Sequence, residues 1–75
     1  MKRVGEVTRT AQGLAVVRSP DDGFPDVGTE LVDQNLEPVG RIVDVFGPVD
    51  RPYLAVSTSE GTAPATLLGE KLYAR

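Results

Sequence analysis

The chain has 75 residues, with eight lysines and arginines against eleven aspartates and glutamates, which gives a formal net charge of −3. It contains no cysteine and no histidine. This excludes a disulfide framework and a thiolate metal site, and it removes the usual general base near neutral pH. A chain of this length forms one domain, residues 1–75, without room for a deep catalytic cleft.

The charge balance and the hydropathy pattern argue against two classes of partner, nucleic acids and membranes. A protein whose main task is to grip RNA phosphates usually has a basic surface, and this chain is acidic. No apolar run approaches the roughly 18 residues of a membrane span, and no signal-peptide apolar region follows Met1. We therefore expect a soluble, intracellular protein without a membrane partner.

Short apolar segments separated by proline, glycine and aspartate predict strands rather than helices. Turn signals fall at residues 11–13, 19–26, 34–35 and 59–64, and no segment carries ten residues of helical period. Residues 65–68 are expected to be a brief extended or helical piece. The longest strand is expected at residues 39–46, and the full set of predicted strands is 4–8, 14–18, 30–33, 39–46, 53–58 and 71–74.

Six short strands in this spacing favour an all-β fold, a small six-stranded closed barrel. Pairing of the last strand with the first would remove a sheet edge. The interior of so small a barrel is filled by side chains and is not a ligand pocket.

The polar residues of the sequence do not form a recognisable catalytic group. Asp21 and Asp22 lie in a Pro/Gly-rich loop, where turn capping is expected, and Ser57 and Ser59 have no histidine to activate them. The glycines are isolated, so no phosphate-binding loop or other cofactor site is expected. We expect a protein that is not an enzyme and that binds no cofactor or metal.

Asp44 is unusual because it lies inside an apolar strand. It either points to solvent or is a buried carboxylate paired with Arg41, Arg51 or a cation of a partner. Asp26 and Asp33 flank strand ends, where aspartate side chains bond local backbone N–H groups.

The stretch from Val39 to Val56 is apolar on both faces of its first strand. Strict alternation places bulky apolar side chains on each face: Val39, Arg41, Val43 and Val45 on one, and Gly40, Ile42, Asp44 and Phe46 on the other. One face would fill the barrel, and the other predicts a surface covered by a partner. Phe46 plugging the barrel end, with Tyr53 in the core, is the alternative for these residues taken singly.

The same stretch resembles a known family. Val39-Gly40, residues 44–49 (DVFGPV) and Pro52-Tyr53 are similar to the signature of the Gar subunit of box H/ACA ribonucleoproteins. Residues 1–7, 13–18, 32–33 and 69–73 resemble other strands of the archaeal form. Because the 75 residues include no glycine/arginine-rich segment, we expect the archaeal rather than the eukaryotic form, without the lysine-rich tail of many archaeal members.

This resemblance implies a barrel like the second domains of translation factors and a non-catalytic role. Such a subunit binds the catalytic TruB-like (dyskerin-type) pseudouridine synthase and its thumb loop, assisting substrate loading, turnover and product release in rRNA pseudouridylation and ribosome biogenesis. Guide and substrate RNA would be contacted only indirectly, in an archaeal cytoplasm. Without the partner, the apolar patch could self-associate weakly.

The residues expected to form the partner interface are Ile42, Phe46, Gly47, Pro48, Val49, Pro52 and Tyr53. Phe46 and Tyr53 would be the anchors, Gly47 would permit a turn and Pro48 would pre-set it. The alternative function is a small barrel that binds ribosomal or guide RNA directly.

Overall fold

A computed structural model describes residues 2–20 and 23–74 of the chain. The elements within these residues are β1 (Lys2–Ala11), β2 (Leu14–Arg18), β3 (Glu30–Val32), β4 (Pro38–Phe46), β5 (Tyr53–Thr58), a 3₁₀ helix (Pro64–Leu67) and β6 (Lys71–Ala74). The predicted bounds of β2, β5 and β6 are confirmed. The prediction that β4 is the longest strand is wrong, because β1 has ten residues and β4 has nine.

β1 is longer than predicted because both of its ends find partners. Its first residues pair with β6 and its last residues pair with β2 across the Gln12–Gly13 turn. The apolar pattern did not predict this extension, because Arg9 and Thr10 are polar and their side chains are exposed.

The strands form a closed barrel in the order β1-β2-β5-β4-β3-β6, and every neighbouring pair is antiparallel. Pairing of β1 with β6 closes the sheet, so the predicted all-β, six-stranded barrel is confirmed. Buried aliphatic side chains fill the interior, and the 3₁₀ helix adds Leu67 to them. The members of this core are Val4, Val7, Ala15, Val17, Leu31, Val39, Ile42, Leu54, Val56, Leu67 and Leu72.

Two glycines allow the backbones of neighbouring strands to come close. A Cβ on Gly5 would overlap the carbonyl oxygen of Arg18, and one on Gly40 would overlap that of Ser57. No side chain fits against backbone at such close range, so both positions require glycine. β1 therefore approaches β2, and β4 approaches β5, at positions without side chains.

A β-bulge in β4 changes which residues face the core. Ile42 pairs with Val56 but Asp44 pairs with Ala55, so Val43 is an extra residue in the strand. After the bulge the alternation is shifted by one position.

The predicted assignment of β4 side chains to two faces is consequently wrong. Ile42 is 0 % exposed in the core and Val45 packs against the core, although strict alternation put them on opposite faces. Val43, Asp44 and Phe46 are exposed instead. A single extra residue can do this because side chains in a strand have a period of two.

Candidate functional site

A row of four side chains crosses the outside of the barrel. Glu6 is the cross-strand partner of Arg18, Arg18 is the partner of Tyr53, and Tyr53 is the partner of Phe46. Directly opposite residues project from the same face of a sheet. Residues from β1, β2, β5 and β4 are thereby placed side by side on the surface.

A second row runs beside the first. It passes from Arg9 through Val16 and Ala55 to Asp44. Val16 and Ala55 are 2 % and 6 % exposed and lie outside the core cluster, on the opposite side of the sheet. They form the floor of an open groove of about 280 Å³, with Arg9, Asp44 and Phe46 among its walls.

These two rows form one surface, which we name the outer patch. Its core members are Arg9, Val16, Arg18, Asp44, Phe46, Tyr53 and Ala55. The outer patch explains why residues 39–56 are apolar on both sides. The side chains on one side fill the barrel. Those on the other side, such as Phe46 and Ala55, belong to the outer patch.

The ring of Tyr53 is the centre of the outer patch. It stacks on Phe46 with ring centroids 5.6 Å apart and an interplanar angle of 23°. The guanidinium carbons of Arg9 and Arg18 lie 5.9 Å and 5.3 Å from its centroid, within the range of a cation–π attraction. Arg18 also donates a hydrogen bond from Nη1 to the Tyr53 hydroxyl, at 3.2 Å. Both aromatic rings are thus held in place before any partner arrives.

The loop between β4 and β5 starts at Gly47, whose φ of +90° few other residues adopt. A Cβ at Gly47 would lie 2.9 Å from Cδ2 of Tyr53, so the loop leaves β4 against the tyrosine ring. The Arg51 N–H then donates to the Pro48 carbonyl at 3.3 Å, which makes Val49 and Asp50 the central residues of a turn. Pro48 therefore precedes the centre of the turn, and Val49 at its tip is 91 % exposed.

Ser19, just after β2, forms hydrogen bonds with the end of this loop that precedes β5. The Ser19 N–H donates to the Pro52 carbonyl at 3.1 Å, and Nε of Arg51 donates to the Ser19 carbonyl at 3.2 Å. Pro52 is buried in this junction. Two hydrogen bonds and two prolines thus restrict the loop that presents Val49.

The structure brings most of the predicted interface residues together, but not all of them to the surface. Phe46, Gly47, Pro48 and Val49 are exposed, and Tyr53 is half-buried beside them. Ile42 lies in the core because of the bulge in β4, so its expected contact with a partner is corrected. Pro52 is buried against the end of β2. A partner cannot reach its side chain, so the expected contact of Pro52 is also corrected.

Arg9 and Arg18 belong to this surface, and sequence reasoning missed them. Arg18 is separated from Tyr53 by 35 positions, and no local pattern connects the two. Only the pairing of β2 with β5 could have indicated the contact.

Asp44 has a local role. It is exposed, and its Oδ1 accepts a hydrogen bond from the N–H of Val45 at 2.8 Å. The interpretation that it points to solvent is confirmed, and the alternative of a carboxylate buried beside Arg41 or Arg51 is wrong. Pairing with a cation of a partner stays a prediction. Oδ1 of Asp33 likewise accepts from the N–H groups of Asn35 and Glu37, at 2.8 Å and 3.1 Å.

Residues 2–20 and 23–74 contain no group of three or more side chains suited to a metal ion. The same part of the chain has no helix with the length and apolar character of a membrane span. Asp21 and Asp22, expected to cap a turn, lie outside the described residues.

Comparison with known proteins places this surface in a family context. The chain is 27 % identical over 71 residues to the H/ACA ribonucleoprotein complex subunit GAR1 of Chaetomium globosum, covering 93 % of this chain. It spans about a third (34 %) of the length of that fungal protein. It is also 27 % identical over 77 residues to an uncharacterized protein of Methanothermobacter thermautotrophicus, covering 97 % of this chain and 82 % of the relative. The model of the family described as the Gar1/Naf1 RNA binding region matches residues 1–75, and the chain therefore belongs to this family.

Proposed function

We propose that this chain is a non-catalytic subunit of an archaeal H/ACA guide-RNA ribonucleoprotein, located in the cytoplasm. In this role it binds the catalytic pseudouridine synthase subunit and its thumb loop, and so assists substrate loading, turnover and product release. Membership of the Gar1/Naf1 family and the likeness to a fungal H/ACA subunit support the assignment to such a complex.

The observation that carries the proposal is the pre-ordered apolar edge of the outer patch. Phe46 is 39 % exposed although Tyr53 already covers one of its faces, and Val49 is almost fully exposed. Phe46 lies in β4, which pairs with β5, and Val49 lies in a turn that is closed by the hydrogen bond from the Arg51 N–H to the Pro48 carbonyl. A surface that is already ordered loses little conformational entropy when it docks.

The composition of the outer patch fits a protein partner. Protein interfaces are enriched in aromatic residues and arginine and depleted in lysine. The outer patch combines Phe46 and Tyr53 with Arg9 and Arg18 and has no lysine, although its Asp44 and Ala55 are of types that interfaces contain less often. Val16 and Ala55 form the apolar floor of its groove, but both are buried already, so the exposed Phe46 and its neighbours would make the contacts.

The direct test is the affinity of the synthase subunit for wild type and for Phe46→Ala, measured by calorimetry. Loss of an interface anchor costs about 2 kcal/mol or more, which is at least a roughly 30-fold weaker Kd. Phe24→Ala is the matched control, because Phe24 is 38 % exposed and lies outside the outer patch. Unchanged affinity for Phe46→Ala with the fold intact would reject Phe46 as an anchor.

The role in turnover needs a second measurement. Pseudouridylation is followed with the synthase and guide RNA, with and without this subunit, under single- and multiple-turnover conditions. We expect a larger effect on multiple turnover, since product release limits only repeated cycles. An equal effect under both conditions would contradict the assistance of product release.

Direct binding of ribosomal or guide RNA is the second candidate. Two arginines beside an aromatic ring resemble a base-stacking platform, and the family is described as an RNA-binding region. This function predicts that the isolated chain binds single-stranded RNA with an affinity that falls steeply with salt. Binding no better than that of an unrelated acidic protein would exclude it.

A further inference from the structure

A second groove borders the outer patch and contains three arginines. Arg3 of β1, Arg18 of β2 and Arg51 of the loop before β5 line an open cavity of about 240 Å³. Gly5, Glu6, Thr8 and Pro20 complete its walls. We name this cavity the arginine groove.

These arginines have no carboxylate partner among the residues that the structure describes. Glu6 is directly opposite Arg18 in the sheet and lines the same groove, yet the two form no ion pair. Nε of Arg18 is buried and has no hydrogen-bond partner in the described part of the chain. Within residues 2–20 and 23–74, three arginines and one glutamate give the groove walls a formal charge of +2, although the whole chain has a net charge of −3.

Part of the donor capacity of the groove is already used. Nη1 of Arg18 donates to the Tyr53 hydroxyl, and Nε of Arg51 donates to the Ser19 carbonyl. These bonds fix the direction of both side chains. Among residues 2–20 and 23–74, the guanidinium of Arg3 and the Nη groups of Arg51 donate to no carboxylate or carbonyl, whereas Nε of Arg18 is buried and Nη2 is its only other nitrogen without a partner. Guanidinium groups bind carboxylates and phosphates through paired, charge-assisted hydrogen bonds.

We propose that the arginine groove receives a carboxylate-bearing segment of the protein partner that docks on the outer patch. This inference rests on the proposed function and adds a second, electrostatic contact to it. Arg18 carries the connection, because it lines the arginine groove and also contacts Tyr53 at the centre of the outer patch. A partner seated on Phe46 and Tyr53 would continue directly into the groove.

The charge distribution favours a short acidic peptide over an RNA strand. A nucleic acid brings many phosphates, and these meet the field of the whole acidic chain. A segment with one or two carboxylates meets mainly the local positive charge of Arg3, Arg18 and Arg51.

The test uses single neutralising variants of the full chain with the synthase subunit from the same organism. Arg3→Gln and Arg51→Gln should each weaken binding about 10-fold at low salt, since each removes charge-assisted hydrogen bonds. The loss should shrink at high salt. Arg41→Gln is the matched control: Arg41 is exposed on β4, outside the groove, and its variant should bind within about twofold of wild type.

Thermal unfolding of each variant separates loss of fold from loss of contact. Arg51→Gln also removes the bond to Ser19, whereas the side chain of Arg3 makes no hydrogen bond within the described residues. Arg3→Gln therefore gives the cleaner answer. If Arg3→Gln binds the synthase like wild type while Phe46→Ala does not, the groove proposal fails and the proposed function stands.

Three further results are decisive. If wild type does not bind the synthase at all, the proposed function itself fails. If wild type binds a single-stranded RNA oligonucleotide and Arg3→Gln abolishes only that binding, the groove is a phosphate site and the proposal is overturned. Weaker synthase binding by both groove variants, with Arg41→Gln unchanged, supports it.

Discussion

Arg18 and Tyr53 contact each other in two ways across the β2–β5 pair. Nη1 of Arg18 donates to the tyrosine hydroxyl at 3.2 Å, while the guanidinium carbon lies 5.3 Å from the ring centroid. The two residues are direct cross-strand partners. This contact fixes the ring that supports Phe46, and it joins the outer patch to the arginine groove.

The hydroxyl bond can be removed without removing the ring. Tyr53→Phe should lower the free energy of unfolding by about 1 kcal/mol, because Arg18 then loses the acceptor for a partly buried N–H group. The stack with Phe46 should persist, since it needs only the ring. Urea denaturation measures the change.

Tyr73→Phe is the matched control for this substitution. Tyr73 is half-buried in β6, and its hydroxyl makes no hydrogen bond to the described residues. Its loss should change stability by less than about 0.5 kcal/mol. Equal effects of the two variants would show that the bond to Arg18 contributes nothing specific.

Gly40→Ala should be among the most damaging small substitutions in the chain. The new methyl would overlap the Ser57 carbonyl oxygen, so β4 and β5 would have to separate. We expect a loss on the order of 3 kcal/mol, from steric overlap added to backbone strain. Thermal unfolding with circular dichroism checks this.

Gly61→Ala separates the two causes. Gly61 has a φ of +86°, but no described atom beyond its chain neighbours lies within 4 Å of the place a methyl would take. Only the backbone strain of about 1–2 kcal/mol therefore applies. Comparable losses for both variants would contradict the close approach of β4 to β5 at Gly40.

Because of the bulge at Val43, substitutions at two neighbouring residues should lower the free energy of unfolding by different amounts. Ile42→Val removes one methylene from a fully buried side chain and should cost about 0.5–1.5 kcal/mol. Val43→Ala shortens a side chain that is 41 % exposed and should cost less than about 0.5 kcal/mol. Urea denaturation of both variants is the measurement. A larger loss for Val43→Ala than for Ile42→Val would place Val43 in the core and contradict the bulge.

Most of the fold could be predicted from the sequence because turn residues separate the strands from one another. Proline, glycine and aspartate mark the ends of β2, β5 and β6, and the spacing of short apolar segments indicated a barrel. The bulge in β4 could not be read in the same way. Ile42, Val43 and Val45 are all aliphatic, so the apolar pattern fits either register.

The layout of the candidate site can be read from the sequence only in part, for a related physical reason. Phe46, Gly47, Pro48, Val49 and Tyr53 are close in sequence, and the residue types of an anchor and a stiff loop are visible locally. Ile42 and Pro52 were assigned to the surface because local pattern does not report solvent access. Arg9 and Arg18 were missed because their contact with Tyr53 depends on strand pairing.

The sequence by itself determined the class of fold, the absence of histidine and cysteine chemistry, and the apolar stretch that suggested a partner. Each of these follows from composition and from local conformational preference. Tertiary structure decided which side of that stretch faces outward, which cations surround Tyr53 and where three arginines meet. Those features depend on strand register and on closure of the barrel. Pairing of the strands brings together side chains that are distant along the chain, and local sequence preference does not encode such contacts.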